Sequence, residues 1–242
     1  MSCLRFANIG AAALALGGLG EGSSVFVNSS LAQTEAAPCT PTVAQTEGPY
    51  YLNLNLLRRD ITEGRPGMPL TLRIQVVDSI RCAPLAGKAV DLWHADASGV
   101  YSGVSEGTIN APSASGSDGS PSAGKGTFLR GTQITDEQGF VEFRTIYPGW
   151  YPGRTTHIHY KVHLDPSREF SSQIYFNDAL NGRVYQLAPY SAHAGTRTLN
   201  ANDRVLNSGT DPDRTVLAQG ALSNNAVNAS IRVVVEPYGR LV

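Results

Sequence analysis

The chain has 242 residues, of which 41% are hydrophobic and 16% charged, as in one sizeable globular domain and unlike a mainly disordered protein. Its formal net charge is −1 and it has no block of Lys or Arg residues, which argues against nucleic acid or an anionic membrane as a partner. Because no uninterrupted apolar run reaches about 18 residues, we expect no membrane span.

The first 32 residues have the pattern of an export signal. Arg5 gives a short, positively charged start, and residues 7–20 are small and apolar. Ser30 and Ala32 then occupy the −3 and −1 positions of a cleavage site. A flexible Ala/Gly arm is the alternative, since a Ser/Gly stretch separates the apolar region from that site. We expect export to the periplasm or the extracellular space, with cleavage near Ala32.

Cysteine usage is consistent with export. Cys3 would leave with the signal, so that Cys39 and Cys82 remain. An even number of cysteines in an exported chain predicts a disulfide. This one would tie an N-terminal arm to the loop after the first long strand. Two free buried thiols are the alternative if the chain is not exported.

Short runs of alternating apolar and polar residues, bounded by turn residues, predict seven strands. In chain order the strands span 70–78, 88–96, 127–136, 140–147, 156–164, 172–176 and 230–238. The last has the character of an edge strand. Residues 178–188 and 200–207 favour short turns or helices.

The strand pattern predicts an all-β fold, an antiparallel β-sandwich with long loops. We assign the sandwich domain to residues 61–242 and an extended, Pro- and Gly-containing arm to residues 33–60. The Gly/Ser-rich segment 106–127 is interpreted as a long surface loop, because the strands on both sides of it belong to one domain.

Two histidines in the strand predicted at 156–164 indicate a candidate metal site. His157 and His159 point to one face, because side chains alternate along a strand. Such a pair alone is more often surface or core than ligand, but tyrosines lie nearby. A free phenol has a pKa of about 10, and ferric iron can hold it ionised. Two histidines with two tyrosines would therefore favour Fe(III) over Zn(II) or copper.

Three motifs carry a family resemblance. They are EGPYY at 47–51, DLWHADASGVYSG at 91–103 and FRTIYPGWYPGRTTHIH at 143–159. Together they resemble the intradiol ring-cleavage dioxygenases, the group of the catechol 1,2- and protocatechuate 3,4-dioxygenases, and most of all their secreted, single-domain branch. The resemblance implies a non-haem Fe(III) ion in a β-sandwich. Carried over by position, its ligands are Tyr101, Tyr151, His157 and His159, with water or hydroxide as a fifth.

The resemblance also implies an activity. A catechol-type ring would be cleaved with O2 between its two hydroxyl-bearing carbons, giving a cis,cis-muconate-type diacid. Arg154 takes the position of the family's arginine and would stabilise charge that develops on the ring. Gln173 takes the position of the family's glutamine. Candidate substrate-contacting residues are Thr46, Gly48, Pro49, Tyr50 and Trp150.

Other polar residues have different expected roles. His94 is predicted to be packed and hydrogen-bonded, His163 to lie too far along its strand to reach the same ion, and His193 to lie in a loop. Arg130 and Arg168 are candidate cations for a carboxylated ring.

Two other functions remain open at the level of sequence. One is a non-catalytic, prealbumin-like β-sandwich binding module. The other is a Zn hydrolase that uses the His-x-His pair, which would need a third histidine or a carboxylate such as Asp165. The identity of the catechol also stays open. Since the helical dimerisation segment of catechol 1,2-dioxygenases is absent, we expect a monomer or a different homo-oligomer.

Overall fold

A computed structural model of the chain describes residues 39–103, 126–209, 211 and 216–236. All of them fall in one compact unit, Ala36–Val242. The predicted export signal at 1–32 lies outside the described residues, as does most of the Gly/Ser-rich segment 106–127. Within the described ranges, no helix has the length and apolar character needed to cross a membrane.

The described part of the chain contains eight strands and one α-helix. The strands are β1 (Pro69–Asp78), β2 (Ala89–Trp93), β3 (Arg130–Ile134), β4 (Phe140–Ile146), β5 (His157–Asp165), β6 (Arg168–Tyr175), β7 (Gln219–Ser223) and β8 (Ala226–Val235). The helix is α1 (Asp178–Val184), and short 3-10 helices form at Tyr190–Ala192 and Asn200–Asn202. Both helical predictions are thereby confirmed.

Two four-stranded sheets make up the domain. One has the strand order β4-β1-β8-β7 and the other β3-β2-β5-β6. Pairing is antiparallel throughout except between β1 and β8, which run parallel. The predicted all-β sandwich is confirmed, with this single parallel pair added.

The main core lies between the two sheets. Strand β1 contributes Leu72 and Ile74, and β5 contributes Ile158, Tyr160 and Val162, all of them fully buried. Because side chains alternate along a strand, the odd-numbered residues of β5 must face away from this core. The two histidines at the start of β5 therefore lie on the outer face of their sheet, where other parts of the chain cover them.

An extended arm precedes β1 and touches both sheets. The Thr42 backbone N–H donates to the Val234 carbonyl of β8 at 2.9 Å, and the Gln45 N–H donates to the Ser171 carbonyl of β6 at 3.0 Å. The start of the arm is bonded covalently, since Cys39 and Cys82 form a disulfide, as predicted. These contacts place the residues that follow Gln45 over the outer face of the second sheet.

Two expectations for the last strands are wrong. Strand β7 was not predicted, and β8 begins at Ala226 and lies inside its sheet between β1 and β7 rather than at an edge. The signal for the missing strand was the Asn224–Asn225 pair, whose φ angles are +49° and +57°. Two consecutive residues with positive φ are typical of the tight turn that joins two antiparallel strands.

Candidate metal centre

Four buried side chains from three parts of the chain meet on the outer face of the second sheet. Tyr101 lies in the loop after β2, and Tyr151 lies in the Gly/Pro turn between β4 and β5. His157 and His159 lie on β5 itself. Each is less than 10% exposed. The structure thus brings together the four residues predicted as metal ligands.

His157 faces both tyrosines through one nitrogen. Its Nδ1 lies 2.6 Å from the Thr155 carbonyl oxygen, which can only accept, so Nδ1 carries the proton and Nε2 has a free lone pair. Nε2 lies 3.3 Å from the hydroxyl oxygen of Tyr101 and 3.0 Å from that of Tyr151. Two phenol oxygens and an imidazole lone pair therefore converge on one small volume.

His159 completes the set and has an unusual environment. Its ring centre lies 4.8 Å from that of His157 and 6.0 Å from that of Tyr101. Among the described residues, neither of its ring nitrogens has a hydrogen-bond partner, although both are buried. A buried polar group without a partner is costly. A metal ion bound by the lone pair of His159 would remove that cost at one of the two nitrogens, so the residues present fit a metal.

The protein environment keeps all four groups neutral. Burial raises the pKa of Tyr101 far above its ordinary value and raises that of Tyr151 to about 12, and the charge of Arg154 opposes both shifts only in part. Burial also lowers the pKa values of His157 and His159, helped by the Arg154 charge. Neutral imidazoles can bind a cation, whereas the phenols need a strongly acidic cation to ionise.

The described residues favour a metal site with tyrosine ligands over one built from His, Cys, Asp and Glu alone. Within the described ranges, no group of three or more His, Cys, Asp or Glu side chains is arranged to hold a metal ion. Asp165, the carboxylate considered for a Zn hydrolase, binds Ser167 and Arg168 at the turn after β5. The third ligand that this alternative needs is therefore not supplied by Asp165.

Arg154 lies beside the four residues and is held by a buried carboxylate. Its Nε donates to Oδ2 of Asp203 at 2.9 Å, and its Nη2 donates to Oε1 of Gln173 and to the hydroxyl of Tyr175. Asp203 is fully buried and also accepts the backbone N–H of Thr155 at 2.7 Å. Arg154 is thus fixed next to the site with its charge paired on one side.

Gln173 links that arginine to the arm. It lies opposite His159 in the pairing of β5 with β6. Its Oε1 accepts from Arg154, and its Nε2 donates to the Thr46 carbonyl at 2.9 Å. Sequence reasoning placed Gln173 and Arg154 near the site, and the structure joins them by a direct hydrogen bond.

Residues 46–51, named here the covering segment, lie against two of the four side chains, His159 and Tyr101. Gly48 sits against His159, since a Cβ at this position would be 3.2 Å from its Cε1 atom. The ring of Tyr50 stacks on that of Tyr101, with centres 4.3 Å apart and planes 16° apart. Pro49 is exposed. Of the predicted substrate-contacting residues, Gly48 and Tyr50 thus touch the site directly.

Trp150 is turned to a different neighbour. Its ring stacks on His193, with centres 4.2 Å and planes 9° apart. Trp93, which was not predicted as a site residue, stacks instead on His159 at 5.2 Å and 10°. Trp93 is the last residue of β2 and lies opposite His159 in the pairing of β2 with β5, so that its role can be found only once the sheet register is known.

The other histidines behave as expected. His94 is buried, with Nδ1 2.8 Å from the Ala95 carbonyl and Nε2 2.7 Å from the Thr145 hydroxyl. His163 binds Asp91 at 2.8 Å and Glu169 at 3.1 Å, away from the two tyrosines. Both of these predictions are confirmed.

The two candidate cations for a carboxylated ring have other partners. Arg130 donates to the carbonyl oxygens of Tyr50 and Ser102 at 2.6 and 2.7 Å. Arg168 pairs with Asp165 at the surface. Arg130 therefore joins the covering segment to the loop that carries Tyr101. Sequence reasoning did not find this role, and it missed Asp203 because no local pattern marks either residue.

Comparisons with known proteins show that the chain is similar to one family of enzymes. A family model described as Dioxygenase matches residues 46–181. A chlorocatechol 1,2-dioxygenase of Pseudomonas putida is 27% identical over 175 residues, which is 63% of this chain and 60% of that relative's length. The solved structure of an intradiol ring-cleavage dioxygenase from Tetranychus urticae is 30% identical, with a TM-score of 0.75 over 84% of this chain and 97% of that one.

A third similar protein is a bacterial domain. It is the dioxygenase domain of a dioxygenase–carbohydrate-binding protein fusion from Streptomyces sp. SirexAA-E, which is 28% identical. Its TM-score is 0.58 over 81% of this chain and 99% of that one.

Proposed function

The chain belongs to the intradiol ring-cleavage dioxygenases, and on this basis we propose that it cleaves a catechol-type ring with O2 between the two hydroxyl-bearing carbons. The product would be a cis,cis-muconate-type diacid. The observation that carries the proposal is the meeting of the Tyr101 and Tyr151 oxygens at Nε2 of His157, beside a His159 whose buried nitrogens lack partners among the described residues.

We assign Tyr101, Tyr151, His157 and His159 as the residues that would hold a ferric ion. Hard phenolate oxygens and imidazole nitrogens together suit Fe(III) better than Zn(II). When bound, the ion would serve as the Lewis acid that the two diol oxygens of the substrate chelate, and it would make the ring reactive towards O2.

Side chains of the protein would supply the proton acceptor and the positive charge that the reaction needs. Once ionised by a bound ferric ion, the phenolate oxygens of Tyr101 and Tyr151 would be the basic atoms of the site, and one of them would accept a proton from the diol. Burial raises the pKa values of Tyr50, Tyr101 and Tyr151, and the permanently cationic Arg154 lies close enough to oppose part of each rise. Because Asp203 and Gln173 hold it in place, it can stabilise negative charge on the reacting ring without reorganising.

The surroundings keep water from the reacting atoms. The rings of Tyr50 and Trp93 cover Tyr101 and His159, and both rings are buried. In such an environment the charge of Arg154 acts more strongly than it would in water.

The test is an iron titration read by colour and turnover. Protein loaded with Fe(III) should be burgundy-red from tyrosinate-to-iron charge transfer and should convert catechols to products with muconate absorbance. Tyr151→Phe should shift or bleach the colour and abolish most turnover, whereas Tyr160→Phe, on the same sheet but facing the core, should retain both.

Other outcomes would reject parts of the proposal. A colourless protein with one bound iron per chain would contradict the tyrosine ligands. A coloured protein that cleaves no member of a catechol panel would favour the alternative of a non-catalytic binding module.

We also propose that the chain is exported. The Cys39–Cys82 disulfide supports this, because such bonds persist in oxidising compartments. Fractionation of expressing cells with N-terminal sequencing of the product tests it. Export with cleavage near Ala32 is expected, and an intact chain in the cytoplasm with reduced thiols would contradict it.

A further inference from the structure

Lys161 is a lysine with little access to solvent. It follows His159 by two residues on β5 and so faces the same side of the sheet. Its side chain is only 6% exposed. Lysines are rarely buried unless their charge is paired, so the partners of this ammonium group indicate what it does.

Three groups surround the ammonium nitrogen of Lys161. Glu47 forms a close ion pair with it, and Glu169 of β6 lies 2.8 Å away. The nitrogen also lies 3.9 Å from the centre of the Tyr51 ring, a cation–π contact. Two of these three partners, Glu47 and Tyr51, belong to the covering segment. The lysine thus binds the segment near both of its ends.

The residues between those ends are the ones that touch the candidate metal centre. Gly48 lies against the ring of His159, and Tyr50 stacks on Tyr101. Tyr51 itself packs on Trp93, with ring centres 4.9 Å apart, and Trp93 stacks on His159. A displacement of the segment at its ends would therefore change the surroundings of two proposed ligands.

A second contact fixes Tyr51 at its hydroxyl. That group donates to Oδ2 of Asp91 at 2.8 Å, and the same carboxylate oxygen lies 2.8 Å from Nε2 of His163. Nδ1 of His163 in turn lies 3.1 Å from Glu169, the second carboxylate beside Lys161. The lysine is therefore part of a closed set of polar contacts that joins the covering segment to β2, β5 and β6.

We propose that Lys161 is a positioning residue, which holds the covering segment against His159 and Tyr101 and so shapes the place where the catechol binds. The substrate part of this inference rests on the proposed function, whereas the holding of the segment does not. Lys161 does not act on the reacting atoms itself, because its nitrogen is bound to the two carboxylates and to the Tyr51 ring.

Hydrogen exchange of the iron-free protein tests the holding role directly. In Lys161→Met, which keeps the apolar stem and removes the charge, amides of residues 46–51 should exchange about fivefold faster, the change expected for an ion pair whose carboxylate, Glu47, is partly exposed. Lys161→Arg should restore most of the protection. Lys88→Met is the matched control, since Lys88 donates to the Leu164 carbonyl and does not touch the segment.

Steady-state kinetics test the consequence for the substrate. Lys161→Met should raise the KM for catechol about fivefold while kcat changes by less than about twofold, because the group contributes to binding and not to the chemical step. Lys161→Arg should return KM towards the wild-type value. A loss of kcat alone, or an unchanged KM, would overturn the proposal.

A failure of the holding role of Lys161 and a failure of the proposed function give different experimental results. Equal exchange of residues 46–51 in wild type and Lys161→Met would overturn the holding role whatever the activity is. If the wild type cleaves no catechol, the proposed function fails, and the exchange comparison still decides whether Lys161 holds the segment. Should Lys161→Met not fold, Glu47→Gln removes the same ion pair from the partly exposed side and must give the same pattern.

Discussion

At the scale of single residues, three buried histidines differ in how many ring nitrogens find a partner. His94 has a partner at both nitrogens, His157 has a backbone acceptor at Nδ1 and the two phenols at Nε2, and His159 has none among the described residues. A fully satisfied imidazole is a structural element, whereas an unsatisfied one is costly unless something binds it. The number of ring nitrogens with a protein partner therefore distinguishes His94, which is a packed structural residue, from His157 and His159, which are the proposed ligands.

Gly48 should be needed for iron binding because of its closeness to His159. Gly48→Ala would bring a Cβ to 3.2 Å from Cε1 of His159 at a φ of +74°. Because crowding of this kind costs at least about 1 kcal/mol, we expect the apparent iron affinity to fall about fivefold. Quenching of tryptophan fluorescence during an iron titration measures it, with Trp93 stacked on His159 as the reporter.

Gly64→Ala is the matched control for that substitution. Gly64 has a φ of +72° and no atom within 4 Å of its Cβ position. Both variants carry the backbone strain of about 1 kcal/mol, but only one crowds the histidine. Equal iron affinities would show that the close approach has no role.

Asp203 should be needed to hold Arg154. Asp203→Asn would leave the Arg154 guanidinium, only 17% exposed, without its anionic partner. We expect the free energy of unfolding to fall by about 3 kcal/mol and turnover of catechol to fall at least about tenfold. Urea unfolding and steady-state kinetics measure the two effects.

The control for Asp203 is Asp178→Asn, which breaks the more exposed pair with Arg197. That change should cost less than about 1 kcal/mol and leave kcat unaltered. If Asp203→Asn behaved like this control, Arg154 would be positioned by other contacts.

Sequence reasoning succeeded at this scale where a periodicity or a motif was present. Strand alternation placed His157 and His159 on one face, and the motif resemblance selected Tyr101 and Tyr151. Asp203 lies 49 positions after Arg154 in a segment whose pattern predicts only a short turn or helix, and its role exists only once the chain is folded.

At the scale of elements, β5 is buried on both faces although its sequence alternates. One face belongs to the core between the sheets, and the other is covered by residues 46–51. Alternation therefore predicted the strand and the parity of its side chains but not the cover on its outer face. Such a cover comes from a segment about 110 residues earlier, whose sequence shows only that it is extended.

The disulfide should contribute substantially to the stability of the arm and domain. It joins residues 43 positions apart. On the chain-entropy model, closing a loop of this length stabilises the fold by about 4 kcal/mol. The double variant Cys39→Ser/Cys82→Ser should therefore unfold at a markedly lower urea concentration than the oxidised protein. Identical midpoints for oxidised and reduced wild type would contradict this expectation.

At the scale of the whole molecule, the buried histidines make stability depend on pH. Burial lowers the pKa of His94 to about 4, against about 6.5 in an unfolded chain. The unfolded state thus binds a proton between these values that the folded state does not, so stability is fully present above pH 6.5 and is lost as pH falls towards 4. The loss from His94 alone amounts to about 3 kcal/mol.

This pH effect can be measured on the iron-free protein. The free energy of urea unfolding should fall between pH 7 and pH 4.5, and His94→Gln should show a shallower slope in the same window. Burial also lowers the pKa values of His157 and His159, and these two residues should account for the pH dependence of unfolding that remains in His94→Gln. A slope unchanged by His94→Gln would mean that folding does not lower the pKa of His94.

The parallel pairing of β1 with β8 has a consequence for how the protein is made. A nascent chain emerging from the ribosome can form β2, β5 and β6 early, but β1 has only β4 beside it until residues 226–235 leave the exit tunnel. Until then the open edge of β1 offers unpaired backbone groups to other chains. We therefore expect fragments that stop before Ala226 to aggregate. The late completion of this sheet would also suit the export proposed above, in which a polypeptide passes through a translocation pore before it folds.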